Sequence, residues 1–239
     1  MPGGKLVPEI RDIVVVSKHL AYKDSLLSGV VDPSLRLHFF SSLSEFEESK
    51  LCAEEIEYFF FPHYSEIIPE DFIDRYTCIG FHTGDLPNDR GGSPIQHKIL
   101  RGEYLTKVSA LRLSKRIDGG DIYLQQDVNL SEGTIVEVID KISELIAKMI
   151  LKFLEETPAP KKQALGGSLR KRLTPADSRI ELSGLTRRQI YDRIRMLDGL
   201  DYEKAHLVIG GHRIILSEAK FSEDSLTFQA RIENKVQNV

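Results

Sequence analysis

Short apolar runs that alternate with polar segments constrain the fold of this chain most strongly. Residues 13–16 read IVVV, a continuous β-branched run that is typical of a strand buried on both faces of a parallel sheet. Similar runs occur at residues 35–40, 57–61, 78–81, 107–113 and 121–125. Segments with helical spacing separate several of them, as at Leu43, Phe46 and Leu51. The order predicts an α/β fold with a Rossmann-like, doubly wound, mostly parallel sheet.

The chain after this region predicts one long helix and then a small appendage. Residues 135–154 carry apolar side chains at i, i+3 and i+4 spacing, which indicates an amphipathic helix that ends before Pro158 and Pro160. Further on, the sequence predicts a helix at 185–197, two strands joined at Gly210 and Gly211, and a third strand in LTFQARI.

We therefore predict three parts along the chain. Residues 1–157 form the main domain, residues 158–172 form a linker, and residues 173–239 form a small C-terminal α+β module. The module is too small to have a large core of its own. Its strands leave apolar faces that a second copy would cover in a homodimer, or that would pack on the main domain of the same chain.

Charge argues against a polyanionic partner. The net charge of -4 and the pI near 6.0 give no general attraction to nucleic acid. Residues 166–172, GGSLRKR, are the one basic patch, and a solvated linker is the favoured interpretation of such a short run. We expect no nucleic-acid partner.

Cysteine usage and hydropathy suggest a cytoplasmic protein. Cys52 and Cys78 belong to no CxxC or His/Cys cluster, so we expect reduced thiols in the core and no metal site. The N-terminus lacks a basic region followed by an apolar one, and no run approaches the ~20 apolar residues of a membrane span. We expect no membrane partner.

The stretch from residue 78 to 96, CIGFHTGDLPNDRGGSPIQ, places His82 at the end of a predicted strand. Ligands bind at the carboxyl ends of strands in open parallel sheets, and a histidine there can act as general acid or base. Pro87 fixes its own φ, while Gly91 and Gly92 allow close approach of backbone to a ligand. Taken alone, a histidine with local hydrogen bonds in a tight loop is the alternative.

A second motif supports the functional interpretation of His82. Residues 116–123 read RIDGGDIY, with Asp118 directly before two glycines. A carboxylate on a glycine loop is most often a turn former. Beside a histidine at a strand end, Asp118 becomes a candidate for orienting the imidazole ring.

Together these motifs resemble the formyltetrahydrofolate-dependent formyltransferases. That family has a strand ending in Asn-x-His, a Ser-Leu-Leu-Pro-type turn, an Arg-Gly loop with Pro, and later an Asp before Gly-Gly or Ala-Gly. This chain has His82, Leu86-Pro87, the loop at residues 90–96 and Asp118 in the same order. YSEIIP at 64–69 and RLTPADSRIELS at 172–183 extend the likeness to residues 55–215.

The resemblance implies a formyltransferase fold, N10-formyltetrahydrofolate as the formyl donor, and no metal. It implies that His82 contacts the formyl group and that Asp118 supports His82. The positions that it implies for donor binding are Tyr64, Ser65, Ile67, Pro87, Arg90, Gly91, Gly92, Asp118 and Asp121.

The chain departs from the family pattern in two places. The family asparagine falls on Gly80, which has no side chain to stabilise an oxyanion, and Gly84-Asp85 replaces the Ser-Leu of the turn. We predict that a neighbour takes over the role of the asparagine, and His63, Thr83 and Asp85 are the candidates. A catalytically impaired module that binds folate or a nucleotide sugar is the alternative.

The resemblance also limits the acceptor of the formyl group. Methionyl-tRNA formyltransferases have a larger C-terminal domain and a basic surface, glycinamide ribonucleotide formyltransferases normally lack the appendage, and the deformylases need a preceding domain for which the residues before Ile13 leave no room. We therefore expect a nucleotide-linked amino-dideoxy sugar of bacterial surface glycans, and FPHYS at 61–65 resembles a set found beside pseudaminic-type pathways. Another amine acceptor is the alternative.

Overall fold

The computed structural model of the protein describes residues 10–19, 22–164, 166–200 and 202–233. The strands are β1 (Arg11–Val16), β2 (Leu35–Phe40), β3 (Ile56–Phe61), β4 (Cys78–Thr83), β5 (Asp89–Gly91), β6 (Leu105–Arg112), β7 (Ile122–Asn129), β8 (Ser168–Arg170), β9 (His206–Ile209), β10 (His212–Phe221) and β11 (Leu226–Glu233). The helices are α1 (Lys23–Gly29), α2 (Leu43–Glu47), α3 (Glu70–Arg75), α4 (Pro94–Leu100), α5 (Ile135–Glu156) and α6 (Arg187–Arg195).

Six of the strands form one sheet in the order β2-β1-β3-β4-β6-β7. β1 pairs in parallel with β2 and β3, and β3 pairs in parallel with β4, where Phe61 lies opposite Gly80. Each of the six strands falls on one of the predicted apolar runs. The predicted α/β fold with a mostly parallel sheet is confirmed.

The chain divides into two compact units, of which the first holds most of this sheet. It contains the described residues up to His82, with Val108–Gln126 and Ser143–Gly166. On one face of the sheet, Phe59 packs edge to face against Phe46 of α2 and Phe72 of α3, with ring centroids 5.1 and 4.9 Å apart. On the other face, Phe60 packs against Phe153 of α5 at 5.4 Å. Burial on both faces explains why these strands are continuously apolar.

The second unit combines the predicted C-terminal module with earlier parts of the chain. It contains Thr83–Lys107, Asp127–Ile142 and the described residues from Gly167 onward. Its small sheet has the order β11-β10-β9, and β9 and β10 form the predicted antiparallel hairpin across Gly210 and Gly211. The predicted third strand is β11.

A buried charge network fixes α6 within this second unit. Arg195 is 1% exposed, and its Nε donates to Oδ1 of Asp192 at 2.7 Å. The two terminal nitrogens of Arg195 donate to the carbonyl oxygens of Gly133 and Leu130, at 2.8 and 2.7 Å. Tyr104 donates its hydroxyl to Oδ2 of Asp192 at 2.5 Å. Every polar atom of this salt bridge therefore has a partner, which offsets the cost of burying it.

Residues 158–172 make specific backbone contacts, although their composition is that of a solvated linker. Lys161 and Ile122 exchange two backbone hydrogen bonds of 2.8 Å. Further on, β8 pairs in parallel with β5. The division at residues 157 and 172 into separate domains remains a prediction.

The prediction for the cysteines is wrong for one of the two. Cys52 is exposed, because it precedes a 3-10 turn (Ala53–Glu55) at the surface, where its thiol donates to Glu54 at 3.3 Å. Cys78 is a buried free thiol, and burial raises its pKa to about 12. Among the described residues, no helix combines the length and apolar character needed to cross a membrane.

The buried network predicts a large loss of stability when Asp192 is removed. In Asp192→Ala the guanidinium of Arg195 stays buried without its carboxylate, and we expect the free energy of unfolding to fall by about 3 to 5 kcal/mol. Urea unfolding measures this change. Asp224→Ala, an exposed position of the same unit, is the matched control, and equal losses in both variants would contradict the network.

Candidate active site

His82 lies at the carboxyl end of β4, where the buried strand leaves the core. The imidazole is 6% exposed, and its Nδ1 lies 3.4 Å from Oδ2 of Asp118. His82 and Asp118, which we predicted to interact, are therefore close to each other in the first unit. A hydrogen on Nδ1 would point toward Asp118, and that tautomer would leave Nε2 as the atom that can exchange a proton with a substrate.

The loop that presents Asp118 is held by a residue that sequence reasoning missed. Gln163 donates through Nε2 to the carbonyl oxygens of Asp118 at 2.9 Å and of Gly120 at 2.6 Å. Asp118 has φ of 49°, a left-handed conformation that Asp tolerates better than most residues. A single glutamine in a stretch of Pro and Lys gives no sequence signal, so the contact appears only in the structure.

The space beside Gly80 is filled by a neighbouring side chain. A Cβ atom added at Gly80 would lie 2.5 Å from Cδ2 of Leu113. Leu113 is partly buried and packs against the apolar cluster that contains Phe61 and Cys78. An asparagine at position 80 would therefore require the end of the Leu113 side chain to shift.

His63, the first proposed substitute for that asparagine, follows β3 and bonds to α5. Its Nε2 is 2.8 Å from Oγ of Ser143, and its ring meets the ring of His19 edge to face at 6.1 Å. Burial, with a smaller contribution from His19, lowers the pKa of His63 to about 4. The ring is therefore neutral at neutral pH, and Ser143 already engages its Nε2.

Thr83 and Asp85, the other two candidates, are placed less favourably. Side chains alternate along a strand, so Thr83 points to the face of β4 opposite Gly80 and His82. Asp85 begins a turn, in which its carbonyl oxygen accepts from the backbone N–H groups of Asn88 and Asp89 at 2.8 and 3.1 Å. The role of all three candidates remains a prediction.

The predicted donor-binding positions of the first unit are largely accessible. The ring of Tyr64 packs on Phe61 at 5.2 Å, and its hydroxyl donates to Glu66 at 3.1 Å. Ser65 is exposed, and the side chain of Ile67 is 96% exposed. Asp121 accepts the backbone N–H of Arg112 through its carbonyl oxygen at 2.8 Å.

The predicted donor-binding positions of the second unit are packed against the chain itself. Pro87 is partly buried, and Arg90 is buried and donates to the carbonyl oxygen of Gly167 at 3.2 Å. Added Cβ atoms at Gly91 and Gly92 would meet backbone atoms of Arg170 at 2.3 Å and Arg172 at 2.6 Å. The close approach that these glycines permit is thus made by the protein's own backbone, and a role of this loop in binding the formyl donor remains a prediction.

Within residues 10–19, 22–164, 166–200 and 202–233, no group of three or more His, Cys, Asp or Glu side chains could hold a metal ion.

Two family matches account for most of the chain. Residues 38–154 match the formyl transferase family, and residues 175–233 match the C-terminal domain of methionyl-tRNA formyltransferase. The protein belongs to the formyl transferase family, and its fold and the positions of its motifs agree with that assignment.

Individual relatives of the chain are named after two kinds of formyl acceptor. A methionyl-tRNA formyltransferase structure from Clostridium thermocellum is 31% identical, with a TM-score of 0.83 over 94% of this chain and 99% of that one. A sugar N-formyltransferase from Shewanella sp FDAARGOS_354 shares the fold at 17% identity, with a TM-score of 0.67 over 87% of this chain and 97% of that one.

The curated relatives match over a shorter length. The methionyl-tRNA formyltransferase of Anaplasma marginale is 37% identical over 95 residues, which are 38% of this chain and 32% of that protein. This chain thus spans about a third of that relative's length.

The contact between Gly80 and Leu113 predicts how introducing the family asparagine at position 80 changes the stability of the protein. Gly80→Asn forces an amide against Leu113, and we expect a loss of about 1 to 3 kcal/mol in the free energy of unfolding. Because Leu113→Ala opens the same space, the double variant should lose less than the two single variants combined. Urea unfolding of all three variants gives these values.

Gly210→Asn is the matched control for this experiment, because nothing lies within 4 Å of an added Cβ there and its φ of 57° suits Asn. Additive losses in the double variant would contradict the steric account. We also expect the turnover of Gly80→Asn to stay level or fall. A gain of about tenfold or more would show that the site lacks only a hydrogen-bond donor to the oxyanion.

Proposed function

We propose that the protein is a cytoplasmic N-formyltransferase that moves a formyl group from N10-formyltetrahydrofolate to the amine of a nucleotide-linked amino-dideoxy sugar for bacterial surface glycans. The contact between His82 and Asp118 at the carboxyl edge of the sheet carries the proposal. Membership of the formyl transferase family supports the reaction and its donor.

The reaction needs one group that both accepts and returns a proton. The amine lone pair attacks the formyl carbon, a C–N bond forms, and the carbonyl π electrons move to oxygen as an oxyanion. Nε2 of His82 accepts the proton that the amine loses. The oxyanion then collapses, the bond from the formyl carbon to N10 breaks, and His82 returns the proton to N10. Asp118 orients the ring throughout, and no net proton is consumed.

The exposure of Ile67 supports the proposal that a flat organic ligand binds at residues 64–69. Its side chain is 96% exposed in the YSEIIP segment, and contact with a ligand ring would remove this apolar surface from water. The resemblance assigns the same loop to the formyl donor, so both arguments give Ile67 the same role.

Charge supports a small acceptor rather than tRNA. The described part of the C-terminal module contains nine acidic and nine basic residues, and the whole chain has a net charge of -4. Two of its basic residues, Arg188 and Arg195, are hydrogen-bonded to Asp192 inside the unit. Binding of tRNA relies on Lys and Arg contacts to phosphates, and this module offers no excess of positive charge for such contacts.

Methionyl-tRNA is the second candidate acceptor. The name of the Anaplasma relative and the match of residues 175–233 favour it. The two acceptors differ so much in size and charge that one assay separates them.

We further propose that the protein is a homodimer that pairs through β11. This strand is an edge of the small sheet within the described residues, and Phe228 and Ile232 on it are 37% and 68% exposed. Antiparallel pairing of two copies about Ala230 places Phe228 opposite Ile232 and Gln229 opposite Arg231. Apolar side chains then meet on one face and no like charges meet on the other, so the strand complements itself.

The proposed reaction predicts that His82→Ala and Asp118→Asn each lower kcat by about 10² or more, the scale of a general acid or base. Because the two residues act as one unit, the double variant should lose little beyond the worse single variant. Turnover is measured with N10-formyltetrahydrofolate against a panel of nucleotide-linked amino sugars and against methionyl-tRNA.

His212→Ala is the matched control, since His212 is exposed in the hairpin and should be dispensable. Near-normal turnover in His82→Ala would exclude the mechanism. Formylation of methionyl-tRNA alone would select the second candidate, and binding of folate without turnover on any acceptor would indicate an impaired binding module.

The proposed pairing predicts a dimer by light scattering at micromolar concentration. In a Cys52→Ser background, Ala230→Cys should form an intermolecular disulfide on mild oxidation, because the two copies of residue 230 lie opposite each other. Thr227→Cys is the control, since its own copy is several residues away in this register. A monomer, or equal cross-linking at both positions, would contradict the pairing.

A further inference from the structure

The segment from residue 167 to 173 runs along the glycine loop that follows β4, within the second unit. In the parallel pairing of β5 with β8, Arg170 lies opposite Gly91. Gly92 donates its backbone N–H to the carbonyl oxygen of Arg170 at 3.0 Å. The N–H of Leu173 donates to Oγ of Ser93 at 3.0 Å, which extends the contact beyond the strands.

The two backbones approach so closely that side chains are excluded between them. A Cβ atom added at Gly167 would lie 1.8 Å from the carbonyl oxygen of Pro87. With Gly91 and Gly92, a third glycine therefore faces this junction. The adjacent glycines also leave the free loop many backbone conformations, so a defined loop requires contacts from outside it.

Asp89 provides the charged part of this junction. Its carboxylate is 7% exposed, with Oδ1 2.9 Å from Nε of Arg170 and Oδ2 2.6 Å from Nζ of Lys98. Arg101 reaches Oδ1 at 3.2 Å. Burial alone would raise the pKa of Asp89, but the hydrogen bonds from Lys98 and Arg170 outweigh it, and the net effect is a lowered pKa.

Of these three cations, Arg170 is the one that joins Asp89 to a distant part of the chain. Lys98 and Arg101 follow the loop directly, on α4 and just beyond it, so they fix Asp89 only to its own neighbourhood. Arg170 places two nitrogens on Oδ1 of Asp89, at 2.9 and 2.8 Å, and so ties the loop to β8.

We propose that Arg170 is a positioning residue, which holds the Arg-Gly-Gly-Ser loop of residues 90–93 in the conformation that receives substrate. The inference rests on the proposed formyl transfer and on the donor-binding role that the family resemblance implies for Arg90, Gly91 and Gly92. Arg170 acts through Asp89 and the backbone of β5 and takes no part in the proton transfer at His82. Without it, the loop samples other conformations, and substrate binding has to select the productive one.

Kinetics of Arg170→Ala test the positioning role against a purely structural one. We expect KM for at least one substrate to rise by about tenfold or more, with kcat within about threefold, because a smaller population of the competent loop weakens binding. Lys171→Ala is the matched control, because it removes the same charge from the adjacent exposed position. Arg170→Lys should recover part of the affinity.

An unchanged KM in Arg170→Ala would overturn the proposal. A structural role would instead lower kcat through loss of folded protein and leave KM unchanged. If Lys171→Ala raised KM equally, the effect would come from charge alone, and the positioning role would be excluded.

Amide hydrogen exchange over residues 84–97 tests the same role without any activity. Arg170→Ala should speed exchange in this segment by about tenfold or more, while Lys171→Ala should leave it unchanged. Unchanged exchange in Arg170→Ala would overturn the proposal even in an active enzyme. If Arg170→Ala exchanges faster but the wild-type protein transfers no formyl group to any acceptor tested, the proposed reaction is wrong while Arg170 still orders the loop.

Discussion

Parallel pairing of β1, β3 and β4 determines where the candidate catalytic side chains of this protein lie. The middle of each of these strands is buried on both faces, so their charged side chains lie at or near the strand ends. β3 ends at Phe61, opposite Gly80, and β4 continues to Thr83, so His63 just beyond β3 and His82 near the end of β4 lie at the same edge of the sheet. Asp118 then needs only a short loop after β6 to reach the ring of His82.

The sequence predicts this framework well because its signals are local. A strand covered on both faces is apolar over most of its length, so the central strands β1, β3 and β4 could be recognised without knowledge of their neighbours. His82 and Asp118 were recognised from motif order. Gln163, Arg170 and Leu113 could not be recognised, because each acts on a residue far away in the chain. Residues 158–172 have the composition of a solvated segment, and only their tertiary contacts distinguish them from one.

At Gly80 the chain departs from the family pattern, and the side chain of Leu113 packs beside this glycine. The side chain of Leu113 occupies the volume that a larger residue at position 80 would need, so the two positions are coupled sterically. In the proposed reaction, a group elsewhere in the site would have to stabilise the oxyanion. The buried neutral ring of His63, bonded to Ser143, shows that a second imidazole near the sheet edge is part of the core hydrogen bonding.

The second unit draws on stretches that leave the ribosome at very different times. Asp89 and Tyr104 emerge first, whereas Arg170 and Asp192, which bind them, emerge 81 and 88 residues later. Because folding during synthesis proceeds from the N-terminus, the strands up to His82 can pack while the adjacent loop still lacks its partners. A nascent chain cut short before Arg170 would therefore carry the histidine on an ordered sheet beside an unanchored loop. An ordered loop therefore requires that synthesis has passed Arg170.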